Sequence, residues 1–371
     1  MFANGQTVIQ LMEQLAPKHL ALADDKIGLQ LGSLQKEIKV ALVALDVTDA
    51  VVEEAIRENA DLIIAHHPII YRPLSHLQTD VPAGKLYEKL IKRDIAVYVA
   101  HTNLDVADGG VNDMMAAAIG LEKLSPLEPL QSEKLKKLVV FVPESHHAQL
   151  LDALFEAGAG WIGQYSHCSF NVTGTGTFLP GEGTNPHIGK QGRLEQVREI
   201  RVETIVPESV ERRVIQAMLQ AHPYEEVAYD VYPLDLQGKT YGLGRVGSLR
   251  RPVRLTDFAE ELKRRLDVPY VRLVGDPERE VQTVAVLGGS GRSYMRRAIS
   301  AKADVFVTGD IDHHTAHDAL AAGLAIADVG HHAEKIMKRG VAEALQNKLK
   351  ALHYSTRVVP SAIDTDPFRL V

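Results

Sequence analysis

At 371 residues, with 45% apolar and 24% charged side chains, the chain is long enough for two or three domains of ordinary globular composition and falls outside the disordered and membrane-embedded classes. A net charge of −7 argues against a dedicated nucleic-acid binder, which needs Lys and Arg concentrated on one face to neutralise phosphates. The single cysteine, Cys168, rules out an intramolecular disulfide and a thiolate cluster, so any metal must sit on nitrogen and oxygen.

No apolar run approaches the roughly 18 residues needed to span a bilayer, and the N-terminus lacks a charged region followed by an apolar stretch. The expectation is a cytoplasmic protein with no membrane partner. The basic runs from Arg245 to Arg254 and at Lys263, Arg264 and Arg265 read as solvated faces. Sixteen histidines are spread unevenly, with pairs at His66-His67, His146-His147, His313-His314 and His331-His332.

In chain order, KVALVALD, ending at Asp46, is a continuous apolar run suited to a buried parallel strand, and VTDAVVEEAIREN after it has helical spacing. DLIIAHHP reads as the next strand, VPAGKLYEKLIKRD as a helix opened by Pro82, and IAVYVAHTNLD as a third strand. Repeated strand-helix order implies a parallel sheet with right-handed crossovers. The rhythm returns late, with strands at VQTVAVLGG, ADVFVTGD and LAIADVG and helices at SYMRRAIS, HTAHDALAAG and AEKIMKRGVAEALQNKLK.

Between these blocks the order is βαββαβ, the ferredoxin-like plan. A weak repeat supports it: FVPES at Phe141 to Ser145 and IVPES at Ile205 to Ser209 each end a strand and begin a helix. GEGTNPHIGKQG between them is a loop by its turn chemistry. The expected division is a first α/β lobe at 1–129, an inserted domain at 130–235 and a second α/β lobe at 236–371.

His66 and His67 end an apolar strand just before Pro68, and ligands in open α/β sheets collect at the carboxyl ends of strands. Adjacent strand residues point to opposite sides, so two metals, or a bend after the strand, would accommodate both. The bland alternative is one satisfied core histidine and one exposed. His101 and Asp105 follow the next strand, and a carboxylate can bridge two ions where an imidazole cannot, which makes Asp105 the candidate bridge. Asp105 or Asp108 could instead cap the helix starting near Val111, and Asp108 fits that role better. His331 and Glu334 lie three apart where a third strand enters a helix, on one face if the helix has begun. His332 is expected to face elsewhere, and Asp328 to accept an imidazole N–H.

Three such clusters at three strand ends point to one metal crevice more strongly than any one of them. Asp310, Asp312, His313, His314 and His317 form a further His-rich turn, readable as substrate contacts, proton transfer or a polar loop with a helix cap. The glycine loop Gly288 to Arg292 could cradle a phosphate. Serine-nucleophile and thiol chemistry find little support, since no GxSxG elbow occurs and Cys168 lies in a strand-like segment.

The motifs AHHP, HTNLD, TGDIDHH and GHHAEK, in this order around an inserted domain, resemble the Nif-three-like family, also known as GTP cyclohydrolase 1 type 2. DDKIGLQLG and SAIDTDPF are similar to family segments, and HPYEEVAYDVYPL to the inserted domain of longer members. The segment Asp25-Lys26-Ile27-Gly28 departs from the family, which usually has Asn there. The resemblance implies two similar α/β lobes with parallel-rich sheets flanking a dinuclear metal crevice, within a homohexamer. It implies two divalent metal ions per subunit, zinc first, with iron or manganese as alternatives, held by His66, His67, Asp105, His331 and Glu334. His101 is implied as a further ligand or a proton-transfer group. The insert resembles the PII and CutA proteins, which implies a cap on the hexamer or a sensor of a small ligand. The implied activity is metal-activated water attacking a nucleotide or related phosphate-bearing substrate, with ring opening of GTP at C8 as the family version. The alternative is a metal-binding regulatory or scaffold protein whose insert binds an effector or partner.

Overall fold

Val40–Ala44 is buried at all of its positions because both faces of its sheet are covered. In the computed structural model, which describes residues 1–369, this strand lies in a sheet ordered Arg357–Pro360, Val40–Ala44, Leu62–Ala65, Ala96–Val99 and Gly28–Leu31. The first four are parallel and the last is antiparallel. On one face Leu42, Ile63 and Val97 pack with Val51, Val52 and Leu90 from the helices Asp49–Arg57 and Pro82–Lys92. Thr48 caps the first of these helices by accepting from the Val51 N–H, and Pro82 opens the second.

The other face of that sheet shares one core with a second set of strands. Val43, Ile64 and Tyr98 lie in the same buried cluster as Val284, Phe306 and Ile326. Here Glu280–Ser290, Val305–Gly309 and Ala325–Asp328 run parallel. Arg272–Val274 pairs antiparallel at one side, and residues 245–254 of the strand Tyr229–Arg254 pair antiparallel at the other. The expected lobe at 236–371 therefore loses its last strand, since Arg357–Pro360 pairs with Val40–Ala44 of the first sheet. Residues Met1–Leu130 and Tyr241–Val371 form one compact unit, and Gln131–Thr240 a second that runs past the expected end at 235.

In the second unit the helix His147–Glu156 follows the first of four strands, within Glu122–Pro143, Ser169–Phe178, Glu195–Pro207 and Tyr229–Arg254, and the helix Glu211–Ala221 follows the third. In chain order the strands are first to fourth, and their sheet order is fourth, first, third, second. Leu138, Val140, Val142 and Val202 pack with Leu150, Leu154, Val214 and Met218 of the helices, which leaves the alternate strand residues on the opposite face.

Arg245 is not on a solvated face, contrary to the reading of its basic run. It is 4% exposed, donates to both oxygens of Asp113 at 2.5 and 2.9 Å, and reaches the carbonyls of Gly242, Gly244 and Ala107. Removing one partner of a buried ion pair strands the other, so Arg245→Ala is expected to cost about 3–5 kcal/mol. Urea denaturation of the full chain checks this. A midpoint within error of the wild type would show that the pair does not secure the core.

Candidate metal centre

The parallel strands place the site through their carboxyl ends. His66 and His67 follow Leu62–Ala65, and His101 follows Ala96–Val99 as the first residue before the short helix Thr102–Val106, which carries Asp105. His331 and Glu334 lie in the 3₁₀ turn His331–Lys335 that follows Ala325–Asp328. A 3₁₀ turn stacks residues i and i+3, which puts His331 and Glu334 in line. Gly330, at φ +77°, makes the backward bend that a side chain would resist.

All four imidazoles are held in the same way. His66 Nδ1 donates to the Ala100 carbonyl at 2.9 Å, His67 Nδ1 to Asp46 at 2.7 Å, His101 Nδ1 to Asp25 at 2.8 Å and His331 Nδ1 to Asp310 at 2.7 Å. An oxygen at Nδ1 fixes both ring orientation and tautomer, and leaves Nε2 as the inward donor. The acceptors are themselves anchored: Asp46 by Thr365 Oγ at 2.5 Å, and Asp25 by the backbone and hydroxyl of Thr102.

Between these rings lies the Glu334 carboxylate, 3% exposed. Its Oε2 stands 3.2 Å from His67 Nε2, 3.4 Å from His331 Nε2 and 3.9 Å from His66 Nε2, while Asp105 Oδ1 lies 3.5 Å from His66 Nε2. Two donors that share one tetrahedral ion at bonds of about 2 Å stand roughly 3.3 Å apart, so these spacings suit a common cation. Three groups have all their donor atoms within 4.8 Å of one another: His66, His67 and His101; His67, His331 and Glu334; and His66, Asp105 and Glu334. Glu334 is the carboxylate common to two of these groups, and Asp105 joins it in the group with His66.

His66 Nε2 and Asp105 Oδ1 are buried with no hydrogen-bond partner among the described residues. Native proteins seldom leave such atoms unmatched, and a cation between them satisfies both. Imidazole with carboxylate suits zinc, iron or manganese, so the residues present fit a metal.

The electrostatics agree. Burial drives the His66 imidazolium down to about 4, against the pull of Glu334, which keeps its ring neutral. Burial also disfavours a charged His67, but hydrogen bonds to Asp46 and Glu334 overcome it and raise it to about 10. Burial and then the Glu334 charge push Asp105 well above the usual carboxylate range. Glu334 itself stays low, because His67, His66 and His331 outweigh its burial. The field that retains a proton on His67 is one that attracts cations.

The model of the family Duf34/NIF3 (NGG1p interacting factor 3) matches residues 3–367. A Halalkalibacterium halodurans protein named GTP cyclohydrolase 1 type 2 homolog is 54% identical, over 100% of this chain and 99% of its own. A Bacillus subtilis protein of the same name is 52% identical over 98% of each chain. The crystal structure of a Bacillus cereus protein related to NIF3 superposes with a TM-score of 0.94 at 52% identity, over the whole of both chains.

This chain belongs to the DUF34/NIF3 family.

Of the residues singled out in the sequence, His66, His67, His101, Asp105, His331 and Glu334 meet in this one site of the DUF34/NIF3 fold. Others have different work. Asp328 accepts from the Ile311 and Gly330 N–H groups and pairs with Arg272, so it does not serve an imidazole. Gly110, not Asp108, is the cap of the helix Val111–Ile119, and Asp113 closes the turn by accepting from the Gly109 N–H. Asp312 caps the helix His313–Ala321, the bland reading of that turn, and His313 stacks against His314 and His317. Gly288 and Gly289 make room for Glu334, whose side-chain atoms would lie 3.0 and 2.8 Å from an added Cβ. His332 turns away to Thr365 at 3.2 Å.

Asp25, Asp46 and Asp310 were missed as anchors. The signal was present for two of them, because Asp46 and Asp310 sit just past buried strands, level with the histidines, and Asp310 takes the left-handed conformation at φ 59°. Losing an outer anchor typically costs 10–100-fold in metal affinity. Asp46→Asn is therefore expected to weaken metal retention by about that factor in chelator competition, with the fold intact by circular dichroism. Unchanged retention would show that His67 needs no anchor.

Proposed function

We propose that this DUF34/NIF3 protein is a dinuclear metal-dependent hydrolase that acts on a nucleotide or related phosphate-bearing substrate, with zinc as the first metal to test. The observation that carries the reading is Glu334, one carboxylate common to two donor groups. His66, His67, His331 and Asp105 supply the remaining donors, and their anchored Nδ1 atoms hold the set without rearrangement. When bound, divalent cations supply Lewis-acid chemistry, polarising a substrate oxygen and lowering the pKa of water toward neutrality.

The His101 Nδ1 rests on Asp25, which turns its Nε2 toward the site, where it serves as a proton-transfer group or a further ligand. The site opens into a cavity of about 1190 Å³ whose mouth includes Tyr71, Tyr270, Arg272, Phe368 and Arg369, enough room for a nucleotide. The names carried by the relatives make GTP the first substrate to try. The proposal includes the implied homohexamer, and it takes the Gln131–Thr240 unit as ferredoxin-like, which its strand order supports.

A second reading, a metal-binding regulatory protein, is favoured by a separate cavity in the Gln131–Thr240 unit. Turnover separates the two. Metal-loaded protein incubated with GTP is expected to give a product of new mass and absorbance, and Asp105→Ala to lower its rate at least 100-fold. Fully metal-loaded protein that leaves GTP and a panel of other nucleotides unchanged would reject the hydrolase and leave the regulatory reading.

A further inference from the structure

The cavity in the Gln131–Thr240 unit has a volume of about 570 Å³, within the range of small-molecule sites. It lies on the sheet face opposite the helices. Along Glu195–Pro207, Ile200 and Val202 enter the helix-side core, while Glu199 and Arg201 point the other way, opposite Gly174 and Val172 of the neighbouring strand. The segment 180–188 forms the facing wall, tied down where Asn185 N–H donates to the Glu225 carboxylate at 3.0 Å. Aromatic rings stand among the remaining lining residues. Tyr224 lies 6.0 Å from Phe178 and 6.2 Å from His187 between ring centres.

Of the three carboxylates that line the cavity, Glu225 is engaged by the Asn185 N–H and Glu226 lies beside it in the chain, whereas Glu199 rises from the sheet floor. Glu199 is 8% exposed, and its Oε1 accepts the Tyr224 hydroxyl at 2.9 Å. No hydrogen bond or ion pair from another described residue reaches its Oε2. Arg201 does not neutralise it, because that guanidinium donates to Glu203 at 2.8 Å and lies over the Phe141 ring. Two glycines keep the approach open. A Cβ on Gly176 would stand 2.0 Å from Glu199 Oε2, whereas one on Gly174 would meet nothing within 4 Å and so enter the cavity.

We infer that this cavity binds a flat, ring-shaped small molecule that offers two adjacent N–H donors to Glu199. The Glu199 side chain is largely buried while its Oε2 is left as an acceptor open to the cavity, and parallel N–H pairs are the geometry a carboxylate binds best. Aromatic walls suit a planar ring and favour it further if it is cationic. The shared chemistry is an amidine-type edge, found charged in benzamidine and neutral at N1–H and the 2-amino group of guanine. The inference is independent of the metal chemistry.

Calorimetric titration of the full-length protein with benzamidine and guanosine tests it, with benzoate and adenosine as rings lacking that edge. At least one of the first two is expected to bind at least tenfold tighter than either control. Glu199→Gln is expected to weaken that binding at least tenfold, and Gly174→Leu to abolish it by filling the space, both with an unchanged thermal midpoint. Binding of benzamidine alone would assign recognition to charge, and of guanosine alone to the neutral edge, and both outcomes support the site. Equal or absent binding of all four rings, or binding that survives both substitutions, overturns it.

Discussion

A carboxylate as deeply buried as Glu334 cannot stand alone, because removing an ion from water costs several kcal/mol unless positive charge or donors replace the lost hydration. Three imidazole nitrogens within 3.9 Å meet that demand, and they come from two different sheets. The charge balance therefore ties the strand Leu62–Ala65 to the turn after Ala325–Asp328. Gly288 and Gly289 follow from the same constraint, since side chains there would occupy the space Glu334 needs.

The outer anchors extend this logic to the chain's last residues. After Arg357–Pro360 joins the first sheet, the Ser361 hydroxyl donates to Glu54 at 2.5 Å and Thr365 to Asp46 at 2.5 Å, while His332 meets Thr365. Asp46 in turn orients His67. The segment after Arg357–Pro360 thus reaches the candidate metal site through a chain of hydrogen bonds, and its position depends on one long-range strand pairing. Such a chain transmits orientation rather than charge, because each link fixes the geometry of the next donor.

The inner donors were legible because strand ends announce themselves: an apolar run stops, a Pro or Gly follows, and polar side chains at that point face the crevice. His66 and His67 fit that description with Pro68, and His331 follows Gly330, while His101 is marked only by the end of its apolar run. What sequence does not announce is pairing between distant segments. Nothing local in RVVP predicts that Arg357–Pro360 leaves its own block to pair with Val40–Ala44, and the expected lobe boundary failed there. Arg245 was misread for a related reason, since a run of arginines resembles a solvated face until packing selects one of them for Asp113. The acceptors Asp25 and Asp46 were hidden because an aspartate in a loop has many local uses, and only the finished fold shows which imidazole it meets.

Glu199 and Glu334 give the same physical problem two different solutions. Each is a buried carboxylate with a glycine placed where a side chain would collide with it. Glu334 is ringed by imidazole nitrogens and shares its surroundings with a second carboxylate, Asp105, so the group that completes it must carry positive charge and accept several donors at once. Glu199 has the Tyr224 phenol at one oxygen and a mixed aromatic and polar cavity before it, so the proposed ligand is one that brings its own N–H groups and a flat body. The identity of the neighbours, rather than burial itself, sets which kind of group a buried carboxylate is suited to receive.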